Sequence, residues 1–147
     1  MTIRTTAATA LLAALAITAT TAFAGPAAQV EPRYFAVQLS SAPTIEAQEF
    51  IIKVTDKERL DATLQAMNGK GDAPRSVLGK VVRGRESYNS HWNFHLAPDS
   101  IGFFDFAITG CQWPANYVED NIENLNSFLP DNTLCLTGSR VVREVIR

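Results

Sequence analysis

Apolar and polar residues alternate along four stretches of the chain, which is the pattern expected of half-buried β-strands. These stretches are residues 34–40, 49–55, 77–85 and 141–146. The apolar faces of the first two consist of Phe35, Val37 and Leu39, and of Phe50, Ile52 and Val54. The pattern therefore predicts a strand at each of the four positions.

Two other stretches have their apolar residues at helical spacing. Thr55 and Glu58 have the spacing of a capping box, and Gly69 follows at a typical helix end, so residues 56–68 are predicted to form a helix. Pro114 stands where a second helix would begin. The two apolar faces are Leu60, Leu64 and Met67, and then Val118, Ile122, Leu125 and Leu129.

Residues 91–108, HWNFHLAPDSIGFFDFAI, are unusually rich in aromatic side chains. Residues 97–100 have the composition of a turn, and apolar residues alternate with others on both sides of it. The alternating apolar positions are Trp92, Phe94 and Leu96 before the turn, and Phe104, Phe106 and Ile108 after it. This pattern predicts a hairpin whose aromatic residues fill one face of a sheet.

The order of these elements is strand, strand, helix, strand, strand, strand, helix, strand. Such an order predicts an α+β fold, with an antiparallel sheet of about five to six strands and two helices packed on one face. Residues 34–147 are long enough for one domain with a single core and too short for two. Residues 25–33 contain two prolines and little periodicity, and are predicted to be a flexible lead-in.

The beginning of the chain has the features of a secretory signal. Arg4 precedes an apolar run over residues 7–19, and Ala22, Phe23 and Ala24 form a small-x-small cleavage pattern. Threonines interrupt the run, which is shorter than the ~20 residues of a membrane span. We therefore expect cleavage after Ala24 and a secreted protein, residues 25–147, without a membrane span.

Charge and cysteine content narrow the possible functions. Without the signal, 12 basic residues stand against 15 acidic ones, and this net charge of about −3 argues against a general nucleic-acid binder. Cys111 and Cys135 are the only cysteines, and two thiols of a secreted chain usually pair with each other. A redox or metal pair is the alternative, but the chain has no C-x-x-C motif and no histidine at ligand spacing.

The aromatic stretch also contains the candidates for catalysis. His95 with Asp99 or Ser100 is the one combination that suggests a hydrolase, and a hydrogen-bonded structural role for His95 and Asp99 is the favoured interpretation. His91 and His95 would lie roughly 13 Å apart on a strand, too far for one metal ion. The chain lacks G-x-S-x-G, H-E-x-x-H and phosphate-binding glycine motifs, so the sequence predicts no metal site and no cofactor.

Basic residues recur on two of the predicted strands and are the candidate binding residues. They are Arg83 and Arg85 on one strand and Arg140 and Arg143 on the other. If the two strands are neighbours, these arginines form one cationic stripe. The alternative is that they protect the solvent side or the edge of a sheet.

Five motifs, in order along residues 34–146, resemble the "binding protein seventy-four" amino-terminal domain family. They are FIIKVTD (50–56), W-x-FHL-x-PDSI-x-FF (92–104), YVED (117–120), FLP (128–130) and SRVVREV (139–145). The family is named after a slime-mould calmodulin-binding protein, and small secreted bacterial proteins carry the domain alone. An acidic residue commonly follows the first cysteine of the family and aromatic residues flank the second, whereas this chain has Gln112, Leu134 and Leu136.

The resemblance implies the identity of the domain but no reaction. Calmodulin targets are normally basic amphipathic helices, and both predicted helices are acidic or mixed, so calmodulin binding is not expected. We therefore expect a secreted, non-catalytic binding domain for an extracellular protein or polymer. The alternative function is a small secreted hydrolase that uses His95.

Overall fold

The computed structural model describes residues 29–40, 49–69, 75–106 and 111–146, which form an α+β fold with seven strands in two antiparallel sheets. The strands are β1 (Gln29–Gln38), β2 (Glu49–Asp56), β3 (Ser76–Arg83), β4 (Phe94–Leu96), β5 (Gly102–Phe104), β6 (Thr133–Leu136) and β7 (Arg140–Val145). The helices are α1 (Lys57–Asn68) and α2 (Ala115–Asp120). The predicted class is confirmed, but the prediction of one sheet of five to six strands is wrong. The predicted signal peptide lies outside the described residues.

The first sheet has the order β2-β1-β7, with β1 in the centre. β1 begins at Gln29, so the predicted lead-in is wrong from that residue onward. The pairing of β1 with β2 is irregular between Gln29 and Arg33. Pro32 lies within this interval, and a proline has no N–H to contribute to a strand ladder.

The second sheet is built around β3, with which β4, β5 and β6 all pair in the antiparallel direction. β4 and β5 consequently run in the same direction, and a 3-10 turn at Pro98–Ser100 joins them without a reversal. The predicted hairpin is therefore wrong. Phe106, predicted to share a buried face with Phe104, is 86% exposed, and Ile108 lies outside the described residues.

Helix α1 starts and stops close to the predicted residues. The N-cap is Asp56 rather than the predicted Thr55, and the Asp56 carboxylate accepts a hydrogen bond of 2.9 Å from the backbone N–H of Arg59. Gly69 ends the helix in the left-handed conformation at φ 58°, which a residue without Cβ adopts at low cost.

The predicted second helix is in fact two shorter segments. α2 ends at Asp120, and a 3-10 helix follows at Ile122–Ser127. The predicted apolar positions Val118, Leu125 and Leu129 are nevertheless buried. Helix α1 packs on β1, β2 and β7, whereas α2 leads into the 3-10 helix. The predicted packing of two helices on one sheet face is therefore also wrong.

One apolar core includes side chains from both sheets, and the aromatic stretch contributes its centre. Phe50, Trp92 and Phe94 form a cluster of rings with centroids 5.3–5.6 Å apart. Trp92, Phe94 and Leu96 are each no more than 3% exposed, which confirms the predicted core role of these three residues. Gly79 permits this packing, because a Cβ there would lie only 3.2 Å from Leu96.

The short 3-10 helix Ser87–Asn89 and the residues after it cover the free edge of β2. The backbone N–H of Ile51 donates to the Asn89 side chain at 3.1 Å, and the indole N–H of Trp92 donates to the Glu49 carbonyl at 3.2 Å. Side chains thus satisfy backbone groups of an edge strand that would otherwise remain open for pairing. These two bonds also connect β2 to the segment that leads into β4.

Candidate functional site

His95 lies in the middle of β4 and pairs with Val82 of β3. Its neighbours Phe94 and Leu96 enter the core, so the His95 side chain occupies the opposite, partly exposed face. The His95 Nδ1 is 3.0 Å from the carbonyl oxygen of Gly84. Because a carbonyl oxygen only accepts, Nδ1 carries the hydrogen in this contact.

Asp99 and Ser100 lie on the 3-10 turn between β4 and β5. The hydroxyl of Ser100 donates to the Ala97 carbonyl at 2.7 Å and accepts from the backbone N–H of Lys80 at 2.7 Å. Asp99 is exposed, and Gly84 rather than Asp99 is the partner of His95. The predicted bond between His95 and Asp99 is therefore wrong.

The hydrolase hypothesis needs His95 to meet Asp99 or Ser100 in one pocket. Asp99 and Ser100 line a surface depression of about 340 Å³ together with Lys80 and Thr133, but His95 does not line it. The structure thus brings Asp99 and Ser100 together and keeps His95 apart from them. The Ser100 hydroxyl stabilises a turn instead of facing a base.

The candidate arginines are divided between the two sheets. Arg83 belongs to β3 in the second sheet, whereas Arg140 and Arg143 belong to β7 in the first. The two strands are not paired with each other, so the arginines do not follow one another across a single sheet. Arg85 follows β3 and donates to the Asn93 side chain at 2.8 Å.

Acidic residues neutralise two of these arginines. Arg83 donates to the Glu123 carbonyl oxygen at 2.8 Å and lies 3.4 Å from its carboxylate. Arg143 forms an ion pair of 2.6 Å with Glu49 across the first sheet. Arg140 is exposed. The exposed pairs contribute little stability individually, but they reduce the positive charge offered to a ligand.

Cys111 and Cys135 form a disulfide with a Cα–Cα distance of 5.1 Å, as predicted. The bond joins the segment before α2 to β6. With Phe104 and the partly buried Leu78, the disulfide forms an apolar cluster separate from the main core. It also forms one wall of a second surface cavity, whose lining shares no residue with the depression at Asp99 and Ser100.

This cavity, the disulfide cleft, has a volume of about 350 Å³. Its apolar lining comes from Leu39, Trp92, Pro114, Ala115 and Leu136, together with the disulfide. Its remaining lining consists of Ser40, Gln112, Trp113, Asn116 and Thr137. Since the cysteines are paired, none of the described residues that line the cleft carries an ionisable side chain.

Trp113 is held in a fixed orientation at the edge of the disulfide cleft. Its indole is stacked on Tyr117 with centroids 4.4 Å apart and an interplanar angle of 18°. The Phe128 ring packs nearly perpendicular to both rings, and the Trp113 indole N–H donates to the Phe128 carbonyl at 3.1 Å. Because Tyr117 covers one face of the indole, the part that lines the cleft is its other face or its edge.

The polar side chains of the cleft differ in what they already bind. Ser40 donates to the Thr137 carbonyl at 3.0 Å, and Thr137 donates to the Cys111 carbonyl at 3.3 Å. Gln112 is exposed and Asn116 partly exposed, and their side-chain amides make no hydrogen bond to another residue in the described ranges. These two amides remain available to a ligand.

The resolved pKa shifts belong to residues outside the disulfide cleft. Burial raises the pKa of Tyr88 to about 12. The hydrogen bond from Arg33 lowers the pKa of Glu144. Burial acts to raise the pKa of Asp56, but hydrogen bonds from Arg59 outweigh it and leave that pKa below its ordinary value. The shifts of Glu144 and Asp56 reflect hydrogen bonds that stabilise the fold, that of Tyr88 reflects burial, and none of the three indicates acid–base chemistry in the cleft.

Sequence reasoning missed the disulfide cleft as a site. Its lining comes from four separate parts of the chain, around Leu39, Trp92, Cys111 and Cys135, and no local pattern shows that these meet. One signal was present: Trp113 and Tyr117 are four residues apart, the spacing at which helical side chains contact each other.

Comparison with known proteins gives one match, at the level of the family. No curated protein and no solved structure matches this chain. Within the described ranges, no helix is long and apolar enough to cross a membrane. The family model for the N-terminal domain of binding protein seventy-four matches residues 31–147, which include all but the first two residues of the described fold. The chain therefore belongs to the "binding protein seventy-four" amino-terminal domain family.

Proposed function

We propose that this protein is a secreted binding domain without catalytic activity of its own, and that it holds its ligand in the disulfide cleft. The observation that carries the proposal is the cleft itself: a cavity of about 350 Å³ with apolar walls, an oriented indole and two available amides. Concave, mostly apolar sites with a few polar groups are the usual form of ligand sites.

The chemistry of the lining supports holding a ligand rather than converting it. The described lining of the cleft has no ionisable side chain to act as acid, base or nucleophile, because the two cysteines are oxidised. Its rigid parts are a disulfide and an aromatic stack, both of which limit the conformational entropy that the protein loses when it binds a ligand. The alternative hydrolase would use His95 and Ser100, which have separate structural partners.

The ligand binds in the disulfide cleft and not at the arginines that the sequence singled out. Arg83 and Arg143 are paired with glutamates and Arg85 with Asn93, whereas Gln112 and Asn116 have no comparable partner in the described part of the chain. The ligand is an extracellular protein or polymer, consistent with the signal-like start of the chain and with a disulfide.

The experiment uses residues 25–147 labelled with ¹⁵N and a panel of soluble probes: neutral oligosaccharides, anionic oligosaccharides and short peptides. The indole N–H signals of Trp92 and Trp113 report directly on the disulfide cleft. At least one probe should shift the Trp113 signal and be recovered chemically unchanged. Conversion of that probe into a product would overturn the non-catalytic proposal.

Substitutions of two asparagines test whether the ligand binds in the disulfide cleft. Asn116→Arg places a long charged side chain in the cleft and should abolish binding. Asn126→Arg makes the same change at an exposed position that does not line the cleft, and binding should be retained. Binding that survives Asn116→Arg would place the site elsewhere, with Arg83, Arg85, Arg140 and Arg143 as the next candidates.

A further inference from the structure

We infer that the ligand of the disulfide cleft is a neutral saccharide, whose ring lies against the indole of Trp113 and whose hydroxyls bond to Gln112 and Asn116. This inference rests on the function proposed above and adds the chemical class of the ligand. Three properties of the cleft carry it: the charge of its lining, the form of its aromatic surface and the type of its polar groups.

The charge of the lining selects against ionic ligands. The polar side chains among the described residues that line the cleft are amides and hydroxyls, namely those of Gln112, Asn116, Ser40 and Thr137. A charged ligand would lose part of its hydration on entering and find no opposite charge in return. A neutral ligand does not incur this cost.

The aromatic surface suits a ring with an apolar face. A pyranose presents a patch of C–H groups on one face and hydroxyls around its rim. Trp113 offers the apolar part of its indole that Tyr117 does not cover, and its stacking on Tyr117 and its bond to the Phe128 carbonyl fix the orientation of the indole before a ligand arrives.

The polar side chains of the cleft are suited to the hydroxyls of a saccharide. A side-chain amide has both a donor and an acceptor, so Gln112 and Asn116 can each satisfy a hydroxyl, which also donates and accepts. Both residues line the same cleft as Trp113. A peptide would instead be recognised through its backbone at a strand edge or through apolar side-chain pockets, for which a flat indole bordered by amides is a poor fit.

The size of the cleft limits how much sugar is held. About 350 Å³ is at the lower end of the range of about 300–1,000 Å³ for small-molecule sites. The cleft therefore holds one or two rings, and the rest of an oligosaccharide or polysaccharide lies outside it.

The test titrates residues 25–147 with cellotetraose, chitotetraose and mannotetraose as neutral probes. Tetragalacturonate serves as the anionic probe, and a tetrapeptide of alanine and glycine as the peptide probe. At least one neutral sugar should bind, shift the Trp113 indole signal, and bind at least tenfold more tightly than the other two kinds of probe. Equal or tighter binding of tetragalacturonate or of the peptide would overturn the inference.

Two substitutions test the named contacts. Gln112→Ala should weaken sugar binding about 3- to 10-fold through loss of one hydrogen bond, while Gln65→Ala, an exposed glutamine on α1, should leave it unchanged. Trp113→Ala should weaken binding at least about tenfold. If Trp113→Ala does not fold, Gln112→Ala alone tests the contacts with the sugar, because Gln112 is exposed.

The binding results with the different probes distinguish a failure of the saccharide inference from a failure of the proposed binding function. If the peptide probe binds in a manner sensitive to Asn116→Arg and no sugar does, the binding function stands and the saccharide class is wrong. If no probe binds at the cleft, both are wrong.

Discussion

Trp92 connects the two sheets, both through its ring and through its indole N–H. It is 3% exposed, packs against Phe50 and Phe94, and donates to the Glu49 carbonyl at 3.2 Å. Trp92→Ala should lower the free energy of unfolding by about 3–5 kcal/mol, as truncations of large core aromatics do. Chemical denaturation measures this change.

The control for this experiment is Val82→Ala on the exposed side of β3, where the side chain is 39% exposed. It should alter the free energy of unfolding by no more than about 0.5 kcal/mol, as is usual for surface positions. An unchanged denaturation midpoint for Trp92→Ala would contradict a core role for this residue.

His95 and Asp99 give a second prediction, because only His95 has a partner that matters to the fold. His95→Ala removes the bond to the Gly84 carbonyl and should lower stability by about 0.5–1.5 kcal/mol. Asp99→Ala should leave the melting temperature unchanged, since Asp99 is exposed and does not bond to His95. Thermal unfolding of the two variants measures both melting temperatures. A clearly lower melting temperature for Asp99→Ala would contradict this prediction and indicate a stabilising Asp99–His95 bond.

The candidate site shows what a sequence reveals about single residues. Cys111 and Cys135 were predictable as a pair, because a chain with two cysteines has only one intramolecular pairing available. The role of Ser100 was not, because its partners, Ala97 and Lys80, depend on how β4 and β5 lie along β3. Trp113 likewise became a site residue only when the fold placed it beside the disulfide.

At the level of elements, the start of α1 gives a prediction with a pH dependence. Asp56 is 3% exposed and accepts hydrogen bonds from the backbone N–H and the guanidinium of Arg59. Asp56→Ala removes the cap and should lower the free energy of unfolding at neutral pH by about 1–2 kcal/mol. Asp61→Ala, which breaks an exposed ion pair on the same helix, should cost about 0.5 kcal/mol or less.

The sign of the pH effect follows from the direction of the pKa shift. The folded protein holds the pKa of Asp56 below its ordinary value of 3.8. The unfolded state therefore takes up the proton first, so this stabilisation is present above that value and is lost as the pH falls through the lower pKa of the folded protein. Below about pH 4 the wild type should lose stability more steeply than Asp56→Ala. Parallel slopes of the two proteins in acid denaturation would count against this cap.

The elements that sequence patterns predicted best are those with a clear period. β2 and α1 were placed to within about a residue, because alternation in β2 gives way to helical spacing at Asp56 and Gly69 ends the helix. β6 was missed, since Thr133–Leu136 is short and buries three successive residues instead of alternating. The turn at Pro98–Ser100 was predicted, but turn composition does not show whether the chain reverses or continues.

For the whole molecule, the disulfide gives the main prediction. The intact mass of the exported protein should equal that of residues 25–147 less two hydrogens. Reduction, or a Cys111→Ala/Cys135→Ala double variant, should lower the free energy of unfolding by about 3 kcal/mol, the chain-entropy value for a loop closed over 24 residues. Mass spectrometry and denaturation with and without a reductant test both statements. Free thiols in the exported protein, or a mass that includes the first 24 residues, would contradict them.

The pairing of β1 with β7 determines when this protein can fold during its synthesis. β1 is the central strand of the first sheet, yet one of its two neighbours is made about a hundred residues later. Until Arg140–Val145 leaves the ribosome, β1 has an open edge that another chain could occupy. Nascent chains stalled before residue 140 should therefore remain sensitive to proteases, and the first sheet should be completed only after residues 140–145 have left the ribosome.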